Sequence, residues 1–347
     1  MKKIPKKSRT KRFLFNLIIG IISVDLLLII GLFWYGMWYP EVEVSDTVLI
    51  GVTVIMATLF LGMYLIMPNL NSPKNSHIMS MKVGRKKFRI QNKKLDLSRQ
   101  GISDFSEIRG IESVSDLKVL ILDDNSISEI ERIDSLTNLK ALHLVNNEMS
   151  DIKGINFFPN LELLELTLNE ITEIKNLNSL TKLKTLWIGE NKIHEIKGLE
   201  SLTNLEDLSI GGNLISEIKG INHLANLTSL ELDLNRISQI KGLESLSNLK
   251  FLDLEGNLIS EITGLDSLKN LEVLIMCDNQ ISEIKGLNSL KNLRSLNLSH
   301  NQITEIKGLG SLPRLEQLDL RNNCIQPSLI ERYIRENKVS SKINIIY

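Results

Sequence analysis

From residue 95 onward the apolar positions of this chain fall into one frame, L-x-x-L-x-L-x-x-N-x-I-x-x-I-x-x-L, with a period of 22 residues. Its asparagine stands at Asn125, Asn147, Asn169, Asn191, Asn213, Asn235, Asn257, Asn279, Asn301 and Asn323, ten times at an unbroken interval of 22. One copy reads Leu271, Leu274, Met276, Asn279, Ile281, Ile284 and Leu287, and an irregular copy opens the array at Leu95, Leu97 and Gln100, 25 residues before Asn125. The L-x-L alternation has the period of a strand and puts both leucines on one face. The later spacing of three, as in Ile284, Leu287, Leu290 and Leu293, suits short 3₁₀-type turns. A single coil of this length cannot bury its own apolar face. Coils stacked at roughly 4.8 Å share one core, and eleven of them make an array on the order of 50 Å long.

The first part of the chain has a different pattern. Residues 13–38 run 26 positions with Asp25 as their one charge, and residues 47–67 run 21 positions with none before Pro68. Each is long enough for a helix crossing the roughly 30 Å hydrocarbon core. Seven basic residues precede the first run and eight follow the second, while the loop between them holds Glu41, Glu43 and Asp46 and no cation. That asymmetry predicts a helical hairpin with both ends on the cytoplasmic side. The predicted organisation is a basic cytoplasmic tail (1–12), transmembrane helix (13–39), short acidic loop (40–46), transmembrane helix (47–67), basic flexible linker (68–87) and a repeat domain with its caps (88–347). Asp25, deep in the first span, is expected to meet the partner helix (Thr58 lies at similar depth), a protein neighbour or water.

The frame resembles the leucine-rich repeat family in its 22-residue form, familiar from bacterial internalins and from the leucine-rich regulatory subunit of protein phosphatase 1. The resemblance covers about 95–335. It implies an α/β solenoid, a right-handed superhelix of about 11 coils with a parallel concave sheet and a 3₁₀ or irregular convex side, here preceded by a transmembrane helical hairpin.

Each repeated asparagine marks the end of a strand, where its amide can satisfy backbone groups of adjacent coils, so the ten are read as a structural ladder. Glutamates four residues after the asparagine and lysines six after it form two columns expected to be a solvated rim. Terminal coils expose core and need lids. Residues 88–97 are expected to cover one end. A helix from Pro327 with an apolar stripe of Leu329, Ile330, Tyr333 and Ile334, together with residues 343–347, is expected to cover the other.

If the L-x-L leucines point inward, the intervening residues line the concave wall. These include Asp123, Asp124, Glu165, Glu190, Asp207, Glu231, Asp233, Asp253, Glu255 and Asp278, with no Lys or Arg at the equivalent places from the copy of Asn125 to that of Asn279. Among them stand apolar residues, Val119, Ile121, Val145, Leu163, Trp187, Phe251 and Ile275. A single-sign wall attracts a basic partner, and aromatics on a wet strand face anchor interfaces. The plainer alternative is a sheet face that needs polar residues of some kind. The partner-binding set is therefore Ile121, Asp123, Glu165, Trp187, Glu190, Asp207, Glu231, Asp233, Phe251, Asp253, Glu255 and Asp278.

Composition narrows the chemistry. The chain is neutral overall, with 41 basic and 41 acidic residues. Residues 1–94 hold 15 Lys/Arg against 4 Asp/Glu, leaving 26 against 37 for the repeats. An acidic array excludes nucleic acid as partner, since phosphates would be repelled. No phosphate loop, nucleophile grouping or metal-ligand motif is present, so no enzyme, cofactor or metal centre is expected. Clustered acids such as Asp233, Asp253 and Glu255 are an open face rather than a cation cage. The expected function is a membrane-anchored scaffold or adaptor that recruits a protein with a basic surface; the resemblance makes a phosphatase one candidate. An extracellular adhesin or receptor of internalin type is the alternative and requires the opposite topology.

Overall fold

The computed structural model describes residues 80–130, 135–336 and 343–347. The two predicted membrane spans, their connecting loop, the basic tail and Asp25 lie outside the described residues. Among those described, no helix is long and apolar enough to cross a membrane.

The L-x-L segments become short strands of one parallel sheet. They are Lys94–Asp96 (β3), Val119–Ile121 (β5), Ala141–His143 (β6), Leu163–Glu165 (β7), Thr185–Trp187 (β8) and Asp207–Ser209 (β9). Ser229–Glu231 (β10), Phe251–Asp253 (β11), Val273–Ile275 (β12), Ser295–Asn297 (β13), Gln317–Asp319 (β14) and Asn344–Ile346 (β15) continue it to 12 strands. Register follows the repeat: Leu208 aligns with Leu230 and Leu230 with Leu252, so equivalent residues form straight columns. The frame leucines and isoleucines make one continuous core, most of it fully buried. The convex side is built from single turns with bonds such as Leu180 N–H to Leu177 O and Leu183 N–H to Leu180 O, with brief 3₁₀ helices such as Ile155–Phe157.

The asparagine ladder is a bonding network. Asn235 Oδ1 accepts the Ile215 N–H at 3.0 Å, and its Nδ2 donates to Ile210 O, Leu232 O and Asp233 O at 3.0–3.1 Å. A second column of asparagines stands on the outer side, 13 residues after the first. Asn204 donates to Thr181 O, Asn226 to Thr203 O and Asn248 to Ala225 O, each spanning one coil boundary. The lysine and glutamate columns also interlock. Lys197 reaches Glu173 of the preceding coil (3.7 Å) and Glu195 of its own (3.4 Å), and Lys219 and Lys285 bridge in the same way. All are exposed, and such pairs contribute at most about 1 kcal/mol each.

The amino-terminal lid reaches further back than residue 88, into the segment expected to be linker. Ser80–Val83 (β1) and Lys86–Arg89 (β2) form an antiparallel hairpin, and β1 also pairs with Ile108–Arg109 (β4). Met81 and Val83 are buried while Lys82, Lys86 and Lys87 face solvent. This is a period-two pattern that the high lysine content hides in the sequence. At the other end the helix Pro327–Glu336 (α1) buries Ile330 and half-buries Leu329 and Tyr333, and β15 adds the last parallel strand.

Candidate functional site: the concave face

Four columns of residues face the concave side in each coil, at six, four, two and one positions before the ladder asparagine. The outer two strand positions flank a buried leucine and are half-buried throughout β5 to β13. Val119, Ile121, Val145, Leu163, Trp187, Phe251 and Ile275 therefore share their sides with neighbouring coils and are half-buried rather than exposed. Trp187 is fixed in place by its Nε1–H, which donates to Asp207 Oδ2 at 3.1 Å.

The acidic wall is not uniform. At its amino-terminal end Arg99 donates to Asp124 Oδ2 at 2.8 Å, Asp123 accepts the Val145 N–H at 2.9 Å, and His143 Nδ1 lies 2.5 Å from Glu165 Oε2. Toward the other end His300 stands 3.8 Å from Asp278, and Arg321 pairs with Asp319. Between these, Glu190, Asp207, Glu231, Asp233, Asp253 and Glu255 make no ion pair with a cation of the described residues. Sequence reasoning treated all of these acids alike. The structure separates a paired periphery from an unpaired centre, because Arg99 and Arg321 sit in terminal coils outside the frame compared.

In the centre, Glu231 and Asp253 are direct register partners on β10 and β11. Asp233 and Glu255 follow two residues on, just past the strand ends, so four carboxylates share two adjacent coils. The carboxylate of Asp233 fills the space beside Gly211: a Cβ there would lie 2.2 Å from Asp233 Oδ1. Glu190 lies over Gly212 in the same way, at 2.5 Å. Burial against the sheet, then the charges of Glu231 and Glu255, push the Asp233 carboxyl up to about 7. Burial, then the charge of Asp233, raises Asp253 well above the usual carboxylate range, although its oxygen accepts the Glu255 N–H at 2.9 Å. Burial also raises Asp207, Glu231 and Glu255. Holding these groups ionised costs free energy that a cationic partner would return.

The column just before the ladder asparagine has left-handed backbone in every copy, from Asp124 (φ 55°) to Asn322 (φ 54°). Glycine, asparagine and aspartate tolerate this, and other residues lose about 1–2 kcal/mol. Leu168 (φ 59°) and Leu234 (φ 49°) adopt it nonetheless, with half of each side chain exposed. No reading of the sequence singled them out. Their signal was present, as leucines at a position that holds Asp, Asn, Gly, Glu or His in all other copies.

Glu255, Cys277 and Asp278 each bring one potential ligand atom within 4.8 Å of the others, a different trio from the Asp233, Asp253 and Glu255 group weighed on sequence. Burial, and then the charge and hydrogen bond of Glu255, hold the Cys277 thiol protonated. A protonated thiol is not a nucleophile.

The family described as Leucine Rich repeats (2 copies) matches residues 181–224, 225–267, 269–301 and 291–330. Among solved structures, an internalin from Listeria monocytogenes is similar with a TM-score of 0.57 and 26% identity, over 73% of this chain and 86% of that one. The functional domain of InlJ from the same organism, which includes a cysteine ladder, is similar in fold with a TM-score of 0.58 and 22% identity. That second likeness spans 69% of this chain and 52%, about half, of the InlJ chain. No curated protein sequence matches. The parallel sheet, its asparagine ladder and these matches show a leucine-rich repeat fold in the repeat region, similar to that of internalins.

Proposed function

We propose that the chain is a membrane-anchored scaffold that recruits a protein with a basic surface through the centre of its concave face. The observation that carries this is the group Glu190, Asp207, Glu231, Asp233, Asp253 and Glu255, half-buried or rim acids with no internal cation among the described residues. Like charges held side by side in the fold destabilise it, and a cationic partner compensates for that repulsion. Trp187 and Phe251 beside them supply apolar area for an interface core. The membrane hairpin and its orientation rest on the apolar runs and their basic flanks. A phosphatase is one partner of suitable kind, suggested by the resemblance to the phosphatase regulatory subunit.

Two measurements test the reading. Binding of a basic protein probe such as histone H1 to the full chain should weaken at least tenfold in an Asp233→Asn/Asp253→Asn variant and fall steeply with salt, as interfaces built on charge do. Equal binding by the variant would refute the acidic-face reading. For topology, Cys324 is exposed and Cys277 buried, so the repeats carry one natural thiol for labelling. A membrane-impermeant maleimide should leave Cys324 unmodified in intact cells and modify it after lysis. Modification in intact cells would favour the adhesin or receptor reading suggested by the internalin likeness.

A further inference from the structure

Resting on that reading, we infer that the acidic centre is one half of a two-part docking site whose other half is an apolar rim patch of Leu214, Leu234 and Leu258. The site fits a partner segment that places an aliphatic side chain beside its lysines or arginines.

The repeats themselves supply the comparison. At the position after the ladder asparagine, where Leu214 and Leu258 stand, the other coils carry Ser126, Glu148, Glu170, Lys192, Arg236, Gln280, Gln302 and Cys324, none of them a large aliphatic residue. Leu258 is 48% exposed and Leu234 52% exposed, while Leu214 is half-buried. Single exposed leucines are ordinary on protein surfaces. These three fall instead in three consecutive coils, those of Asn213, Asn235 and Asn257. Leu234 is additionally held at φ 49°, a backbone that its side chain disfavours. Leu168, three coils away, shares that strain and exposure, so what sets Leu234 apart is its company: exposed Leu258 and half-buried Leu214 in the adjoining coils, beside the unpaired acids. Its neighbours leave it accessible. Leu234 Cδ2 reaches over Gly256 to within 2.7 Å of where a Cβ would stand, so a side chain at 256 would displace it.

The charge on this patch identifies its occupant. Asp233 immediately precedes Leu234, and Glu231, Asp253 and Glu255 occupy the same two coils. Consecutive Cα atoms are about 3.8 Å apart, so apolar and acidic elements lie within the reach of one or two residues of a partner. Arg236 stands between Leu214 and Leu258 in its column and is exposed. The cations of the partner must therefore approach from the acid side of Leu234, which gives the bound segment a direction.

The probe is a labelled hexalysine peptide interrupted by one leucine, compared with its serine counterpart of equal charge, titrated against the full chain in detergent at low salt. Wild type should prefer the leucine peptide about fivefold. A Leu234→Asn/Leu258→Gln variant should lose that preference while binding the serine peptide as before. Leu234→Asn alone should melt about 2 °C higher, because asparagine fits the left-handed backbone. The inference is overturned if wild type shows no preference, if the preference survives in the double variant, or if Leu234→Asn lowers the melting temperature, which would make the leucine a structural residue. Failure of both peptides to bind wild type would instead refute the acidic-face reading and this inference with it.

Discussion

Replacing Asn235 by alanine isolates what the ladder contributes. Its Oδ1 accepts the Ile215 N–H, so the substitution leaves that buried donor without this partner. The carbonyls it serves fare better. Ile210 O still accepts from Asn213, Leu232 O from Asn257, and Asp233 O from the Gly212 N–H. The loss is therefore one orphaned buried donor, about 1–3 kcal/mol, plus the net value of the amide's two N–H groups, about 1 kcal/mol each. The sum is roughly 3–5 kcal/mol. Asn248 on the outer column is the control, exposed and donating once to Ala225 O at 2.9 Å, so Asn248→Ala should cost at most about 1 kcal/mol. Urea unfolding followed by circular dichroism gives the global difference. Hydrogen exchange of the peptide spanning Ile215 gives the local one, which matters because long repeat arrays need not unfold in one step. If Asn235→Ala costs no more than Asn248→Ala, or if exchange at Ile215 is unchanged, the ladder is not what holds the coils in register.

Three more outcomes follow from the same geometry. Gly242 sits at φ 85° with a virtual Cβ only 2.2 Å from Ile218 O, so Gly242→Ala should lower the unfolding free energy by about 2 kcal/mol or more; Gly310→Ala, with nothing within 4 Å, should leave it nearly unchanged. A carboxyl raised in the folded state binds protons there that the unfolded chain has already released, so Asp233 lowers stability as pH rises from the usual 3.8 toward about 7, and Asp253, also raised, lowers it in the same direction. Urea midpoints measured from pH 5 to 8 should accordingly fall less steeply in Asp253→Asn, whose Oδ1 can still accept the Glu255 N–H, than in wild type. Binding of the histone probe should weaken as pH is lowered through 7, following protonation of Asp233, and a flat profile would separate that carboxyl from the binding step.

Much of this architecture was legible because one mechanism repeats. Ten asparagines at a fixed interval, bracketed by L-x-L, define strand, turn and stacking direction together, and every frame leucine in the described coils is buried as its position requires. The amino-terminal hairpin was less legible, since Lys82, Lys86 and Lys87 hide the alternation of Met81 and Val83. The outer asparagine column had the same interval and went unread because its residues are exposed and substituted by Lys182 and Arg314 in two coils. The concave acids were legible as a set but not as a pattern of pairing. Arg99 meets Asp124 and His143 meets Glu165 across coil boundaries, and which neighbours reach across depends on side-chain direction rather than on spacing. The left-handed column was invisible for a related reason: a backbone angle is inherited from the coil, and Leu234 reveals it only once the coil is built.

Where the local costs collect is itself informative. Four carboxylates of the like-charged centre (Glu231, Asp233, Asp253 and Glu255), the strained Leu234 and the exposed Leu258 all belong to the coils of Asn235 and Asn257, near the middle of the array. In a solenoid each coil is stabilised by its two neighbours, and stability is close to a sum of coil and interface contributions. An interior coil therefore tolerates repulsion and strain that would unravel a terminal one. The end coils show the complementary arrangement: Arg99 and Arg321 neutralise their acids, and the hairpin and α1 cover their cores. A polar face required only for solubility would have no reason to leave its carboxylates unpaired at the centre and paired at the edges. A docking site would, because the centre is where the sheet holds its side chains most firmly and where a partner can touch several coils at once.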